Sequence, residues 1–434
     1  MAIIPQQRLF EWDEIEKLGD LERLKLVLET MPDENLMNVL ELERKNGRDD
    51  YPVRAVWNSI LAGIVYQHCS IESLRRELSR NGQLRFMCGL SEVPPPWVYT
   101  RFLKKLLERP WYVEDMFNTL VKLLKETLPG FGQTLAIDGK AIDSHARGHR
   151  KDRKQDPDGR RDTEADWGVK KYSGTREDGT PWEKVKSWFG YKLHLVVDAD
   201  YELPVAFSVT KASAAEIPCA HRLVGKLAQK QPRIMNDCRF FLGDRGYDDE
   251  KLIKLLWDRH GIKPVTDIRN CWKDRDKTRL FKDYENVTYD YRGNVYCYCP
   301  AEGSCRQMAY GGFEKDRQAL KYRCPARHYN VECKGKQECG VSGSIRIYLE
   351  ENRRIFTPLA RSSYSWGRVY RKRTAVERVN SRLDVSFGFE NHYIRGQDKM
   401  QVRCGLALCV MLAMALGRAE ANRRDKLRSL VKSA

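Results

Sequence analysis

Thr134-Leu135-Ala136-Ile137-Asp138 is a short apolar run that ends on an aspartate, and Gly139-Lys140 follow it. Further along, Phe240-Phe241-Leu242-Gly243-Asp244 repeats the arrangement and opens Arg245-Gly246-Tyr247. Runs this short, bounded by Gly and Asp, read as buried strands. A carboxylate just past the end of such a strand stands at the edge of a sheet, where open α/β sheets bind their ligands. One strand-end aspartate alone is usually a turn or cap residue. A third acid changes the reading: Glu377 lies in Tyr370-Arg371-Lys372-Arg373-Thr374-Ala375-Val376-Glu377. Tyr370, Arg373 and Glu377 are spaced by three and four, so on a helix they share one face. An Arg–Glu pair four apart is by itself an ordinary surface salt bridge.

The surroundings supply a topology. The first 130 residues show apolar positions at helical spacing over 21–30, 53–67, 70–81 and 100–127, with Pro94-Pro95-Pro96 as a stop. From Gln133 the pattern becomes strand-like. A strand is predicted over 133–139, then a polar Lys/Arg/Asp/Gly-rich flap from 146 to about 179. A hairpin of strands over 187–197 and 203–210 follows, then helix 214–229, strand 239–242, helix 248–260 and strand 262–268. After a long irregular segment, helices return over 371–384 and 402–417. A meander followed by alternating helices and strands is an α/β fold with crossover connections, and this order matches an RNase H-like mixed sheet. The expected parts are an all-helical N-terminal domain (1–130), a first part of the core (131–269), a cysteine-rich insertion (270–347), and the last core helices with a basic tail (348–434).

In that topology the first and fourth strands are parallel neighbours, which sets Asp138 beside Asp244, and the helix after the insertion brings Glu377 over them. Asp198 and Asp200 end a strand running the other way, at the far edge. Asp143 lies beyond its strand and Asp237 before one. Two strand-end carboxylates and a helix-borne third are the hard oxygen donors that two divalent cations need to act on a phosphodiester.

With these residues in view, the chain resembles the DDE transposases of bacterial insertion sequences. The motifs that carry the resemblance are Leu135-Ala136-Ile137-Asp138-Gly139-Lys140, the run from Phe189 to Asp198, Gly243-Asp244-Arg245-Gly246-Tyr247 and the Tyr370–Arg373–Glu377 signature, and it also takes in the helical region from Tyr51 to Arg101. The resemblance implies that Asp138, Asp244 and Glu377 are catalytic and bind Mg²⁺ or Mn²⁺. It implies cleavage at terminal inverted repeats and joining of the freed ends to target DNA, by a dimer or larger complex on DNA. Tyr370 and Arg373 would contact DNA or position the acid. The family pattern has a basic residue seven positions after the glutamate, where this chain has Asp384.

Charge agrees with such a partner. Lys and Arg number 77 against 60 Asp and Glu, a formal charge of +17, and a basic excess favours polyanions because neutralised phosphates release counterions. Lys140, Arg147 and Arg245, near the acids in sequence, are further DNA-binding candidates. So are the basic stretches 145–161 and 418–432, and Arg75, Arg76, Arg80, Arg85 and Arg101. Trp167, Trp182 and Trp188 could stack on an unpaired base or simply pack, while Trp57 and Phe102 read as core. The start of the chain has no secretory pattern, and the run 404–416 is too short to span a bilayer and reads as a buried helix. With 13 cysteines and no export signal, a reduced, cytoplasmic, nucleoid-associated protein without a membrane partner is expected. In the insertion, Cys297, Cys299, Cys324 and Cys333 form a candidate structural Zn²⁺ set, with Cys305, Cys339 and His328 as spares; unliganded thiols are the alternative. Two other functions fit the same residues: a nuclease of the same fold without strand transfer, and a zinc-dependent DNA-binding regulator with inactive acids.

Overall fold

Leu135, Ala136 and Ile137 are all fully buried, so the strand that carries them is covered on both faces. In the computed structural model, which describes residues 19–44, 50–148, 162–274, 276–282, 284–341 and 343–428, this strand is the centre of a mixed six-stranded sheet. Its strands are β1 (Thr134–Asp143), β2 (Asp166–Thr175), β3 (Pro181–Asp198), β4 (Leu203–Lys211), β5 (Phe240–Gly243) and β6 (Lys263–Thr266). β1, β3 and β4 form an antiparallel meander, and β5 and β6 run parallel to β1 on its other side. This is the RNase H-like mixed sheet expected from the element order.

The polar stretch after Ala146 differs from the predicted flap. Residues 166–175 form β2 and pair with the first half of β3, making a two-stranded ribbon that runs on past the sheet. Apolar content is low there, but tryptophans lie over cross-strand glycines: Trp188 is opposite Gly168 and Trp182 opposite Gly174. A Cβ on Gly168 would sit 2.4 Å from the Trp188 ring. Rings laid over glycine stiffen a ribbon that alternation alone would not reveal. Residues 149–161, most of the predicted phosphate-binding loop, lie outside the described residues.

Among the described residues seven helices precede the sheet: α1 (Asp20–Thr30), α2 (Glu34–Arg44), α3 (Val53–Val65), α4 (Ile71–Arg80), α5 (Gly82–Met87), α6 (Pro96–Leu107) and α7 (Trp111–Thr127). The single helix predicted over 100–127 is α6 and α7, separated at Pro110, whose ring and missing N–H break the helical ladder. Beyond β4 come α8 (Glu216–Lys230), α9 (Pro232–Asp237), and α10 (Glu250–Lys254), which continues as a π-helical turn to Arg259. The insertion follows, with β7 (Arg279–Phe281), β8 (Tyr284–Tyr289), β9 (Val295–Tyr298) and β10 (Cys305–Gln307) in one small sheet. A second sheet holds β11 (Ala309–Glu314), β12 (Ala319–Arg323) and β13 (Ser344–Tyr348), with the short α11 (Pro325–Tyr329) between its last two strands. Both pack on a core of their own built from residues such as Val287, Val295, Tyr322 and Ile347.

After the insertion the signature segment is not one α-helix. α12 (Tyr364–Tyr370) passes through a 3₁₀ turn (Arg371–Thr374) into α13 (Ala375–Phe387). α14 (Gln397–Glu420) is longer than predicted, at 24 residues. By length and composition it could cross a bilayer, yet it is a core helix, buried almost throughout. Gly405 lets it approach α7 closely, since a Cβ there would lie 2.6 Å from Val113 Cγ1. The apolar residues of α1, α3, α7, the sheet and α14 form one continuous core, so the N-terminal helices share their interior with the sheet.

Asp198 shows what a structural aspartate looks like here. It pairs with Leu135 at the start of β1, away from Asp138, which pairs with Leu195. Its fully buried carboxylate accepts the N–H groups of Gly132 (2.6 Å), Asp200 (3.0 Å) and Tyr201 (2.6 Å), closing the β3–β4 turn. Replacing it strands three donors, so Asp198→Ala should lose about 2–4 kcal/mol of stability in urea denaturation.

Candidate active site

β1 and β5 pair in parallel as Thr134↔Phe240, Leu135↔Phe241 and Ala136↔Leu242. Continued by two residues past the last pair, the same register sets Asp138 opposite Asp244, on strands that neighbour at roughly 4.8 Å. Each acid is turned by the backbone that follows it. Gly139 N–H donates to Asp138 Oδ1 (2.7 Å), and Gly246 N–H donates to Asp244 Oδ1 (2.7 Å).

A further carboxylate joins them. Glu216, the first residue of α8, reaches between the two strand ends: a Cβ on Gly139 would lie 3.4 Å from its Oε1, and one on Gly246 would lie 2.5 Å from its Oε2. Its sequence position gave no sign of this, because an acid in the first turn of a helix is ordinarily explained by the helix dipole. Two lysines supply positive charge. Lys192 Nζ pairs with Glu216 Oε1 at 3.4 Å, and Lys170 Nζ donates to Gly139 O at 3.4 Å. Burial pushes the Asp138 carboxyl up to about 6, with Asp244 and Glu216 adding to the rise and Lys170 and the Gly139 N–H opposing it. Tyr247 is buried beside the acids; its hydroxyl has no hydrogen-bond partner among the described residues, and burial, then Asp138, Glu216 and Asp244, hold it well above the ordinary phenol range.

The signature residues stand in a row over this edge. Tyr370 stacks on Trp366 (centroids 4.5 Å apart), the Arg373 guanidinium lies 5.9 Å from the Tyr370 ring, and Arg373 Nη2 pairs with Glu377 Oε1 at 2.9 Å. Arg373 is close enough to Asp138 for that carboxylate to raise its pKa. Among the described residues no three His, Cys, Asp or Glu side chains stand at the spacing of a closed metal site. The parallel register brings Asp138 and Asp244 together, while Glu377, half exposed, is held by Arg373. The donors at the strand ends are carboxylate oxygens, which fit a hard divalent cation.

The predicted DNA contacts separate into two kinds. Arg147 is exposed, and Arg245 is largely exposed while pairing with Asp267 at 2.5 Å. Lys140 is not free: its partly buried ammonium pairs with Asp384 (2.6 Å) and Glu390 (3.3 Å). The acid at the position where the family pattern is basic thus meets a lysine from β1. Arg418 is also committed, buried and donating to Lys426 O, and residues 429–432 of the basic tail lie outside the described residues. Arg75 and Arg85 donate to carbonyls and Arg80 pairs with Glu77, whereas Arg76 is exposed and Arg101 lies over Trp97. Of the three tryptophans, Trp188 is buried, Trp167 packs on Phe189, and Trp182 is 39% exposed. Trp57 and Phe102 are core residues.

In the insertion, Cys297, Cys299, Cys324, Cys333 and Cys339 line one small cavity, and Cys305 lies outside it, exposed. The Cys299 and Cys333 sulfurs are 3.8 Å apart, and Gly335 N–H donates to Cys299 Sγ at 3.3 Å. His328 packs edge-on against Tyr329.

The raised carboxyl of Asp138 has a thermodynamic consequence. A folded-state value of about 6 against an ordinary 3.8 means that its protonation stabilises the metal-free protein at low pH, and that this contribution disappears as pH rises through about 6. The ionised group then costs on the order of 2–3 kcal/mol. Metal-free Asp138→Asn should accordingly melt above wild type at about pH 7.5, with the gap closing by about pH 4, in thermal denaturation followed by circular dichroism.

No curated protein matches the chain in sequence. Among solved structures it is similar to the piggyBac transposase of a cryo-EM synaptic complex with hairpin DNA, at 14% identity over 99% of this chain and 88% of that one, with a TM-score of 0.29. A likeness that loose carries no weight for the geometry of the site. Residues 129–413, from the turn before β1 into α14 and including Asp138, Glu216, Asp244 and Glu377, match the family model described as Transposase DDE domain. The chain belongs to the DDE transposases.

Proposed function

We propose that this transposase cleaves DNA at the terminal inverted repeats of its element and joins the freed ends to target DNA, with Mg²⁺ or Mn²⁺ held by Asp138, Asp244 and Glu377. The observation that carries the reading is the register that brings Asp138 and Asp244 side by side on parallel strands. Such ions, when bound, stabilise the attacking and leaving oxygens of an in-line displacement at phosphorus. The two aspartates are oriented by their following backbone N–H groups, so they need little rearrangement to present oxygens to a cation. Glu377 completes the set from α13. Arg373, which holds Glu377 in the free protein, is the donor best placed to pair with a phosphate, since guanidinium groups bind phosphate and carboxylate alike. Tyr370 braces it. Arg245 and Arg147 extend the positive surface for the DNA backbone, whereas Lys140 fixes α13 to β1 through Asp384.

Asp138→Ala, Asp244→Asn and Glu377→Gln should each lower cleavage of a labelled end substrate by about a thousandfold or more, the rate equivalent of roughly 4 kcal/mol, while end binding stays within a few-fold of wild type. Retained cleavage would overturn the reading and favour a DNA-binding regulator. End cleavage without joined product would reassign the protein as a nuclease. Sedimentation with paired ends tests the expected dimer or larger complex.

The cysteine cavity supports a second, structural metal. Two thiolates sharing a tetrahedral zinc with bonds of about 2.3 Å stand about 3.8 Å apart, and Cys299 and Cys333 have that separation. With Cys297 and Cys324 on the same cavity, they are the proposed set. Elemental analysis should find about one zinc per chain, lost in Cys299→Ser.

A further inference from the structure

We propose that Glu216 is a fourth carboxylate of the cation site, binding the divalent ion together with Asp138 and Asp244; this rests on the metal-dependent reading above. Three observations converge on it. First, the Glu216 Oε2 and Asp244 Oδ1 atoms flank one point, 2.5 Å and 2.8 Å from where a Cβ on Gly246 would be. Glycine is needed at 246 for space, and the space separates two acids. Second, the ion pair with Lys192 is made through Oε1, on the Gly139 side, so Oε2 is the oxygen turned toward Asp244. Third, the Tyr247 hydroxyl is buried among Asp138, Glu216 and Asp244 with no partner among the described residues. A buried hydroxyl left without a partner beside three acids points to a bound ligand there.

Three carboxylates at one sheet edge repel one another, and two lysines give one positive charge fewer than the acids supply. A divalent cation placed among them removes the repulsion at its source. Glu216 also differs from Glu377 in what brings it there. It is carried by α8, which packs on β3 and β4, so it stands at the strand ends without any movement of α13. The competing role is that of a plain counter-ion for buried Lys192.

Calorimetric titration of Mn²⁺ into the full-length, DNA-free protein distinguishes the two. Glu216→Gln should weaken Mn²⁺ binding by about tenfold or more, as should Asp138→Asn. If Glu216→Gln titrates like wild type while Asp138→Asn does not, Glu216 is only the partner of Lys192 and the inference is overturned. If Asp138→Asn also leaves Mn²⁺ binding unchanged, the metal reading of the site falls and takes the inference with it. Fe²⁺-directed hydroxyl-radical cleavage of the wild-type backbone gives the same answer without a variant. Cuts beside 138, 216 and 244 support the assignment; cuts beside 138 and 244 alone overturn it.

Discussion

The parallel pairing of β1 with β5 is the constraint on which the rest depends. It fixes two aspartates at the same level of adjacent strands by main-chain hydrogen bonds, which do not yield to the repulsion between the side chains. Burial first, and that repulsion after it, raise the carboxyl of Asp138. The protein tempers it locally with the N–H groups of Gly139 and Gly246 and the ammonium groups of Lys170 and Lys192. None of these is an ion pair made directly with Asp138 or Asp244. Among the described residues, the two strand-end aspartates therefore keep carboxylate oxygens without a direct ion-pair partner.

The signature segment is tied to the sheet both by apolar burial, with Val376, Val379 and Leu383 of α13 in the main core, and by charge. Lys140 on β1 binds Asp384 on α13, and Lys372 pairs with Asp200 in the β3–β4 turn. Arg378, Arg382 and Arg428 converge on the nearly buried Glu202 of the same turn. Pairs of this kind add modest stability but specify orientation, and half-buried pairs are costly to break on one side only. They set the signature segment over the sheet although a 3₁₀ turn interrupts its helix. The shared face of Tyr370, Arg373 and Glu377 survives because their mutual contacts bridge that turn.

Much of this could be seen in the sequence, for identifiable reasons. Short apolar runs closed by Asp-Gly and Gly-Asp state both a strand and its end, and the element order states which strands are neighbours. The side-by-side placement of Asp138 and Asp244 was legible on those grounds, as was the position of Asp198 away from them. Glu216 was not, because an acid at a helix start looks the same whether it meets solvent, the helix dipole or a metal. Lys140 was read as a DNA contact because nothing local announces a partner 244 residues away. The β2–β3 ribbon was hidden by its polar composition, since Trp-over-Gly pairs replace the alternation that usually marks a strand. The break at Pro110 was visible in principle and was outweighed by the helical periodicity on either side.

The N-terminal helices carry a last lesson about what periodicity leaves open. An amphipathic stripe says that a helix buries one face, not what it buries it against. Here α1, α3 and α7 close over α14, and α14 lies along β4, so one interior runs from the first described helix to the sheet. Gly405 makes this possible by allowing backbone-close packing on Val113, and Phe117 meets Phe207 of β4 edge-to-face at 4.9 Å. The insertion, by contrast, has its own small core and its own cluster of soft sulfur donors, apart from the oxygen donors at the strand ends. The chain thus divides by interior into two parts that do not coincide with its division by sequence: helices and six-stranded sheet on one side, the cysteine-bearing sheets on the other. The N-terminal helices belong to the same packed body that carries Asp138 and Asp244, so their position relative to the acids is set by core packing rather than by a linker.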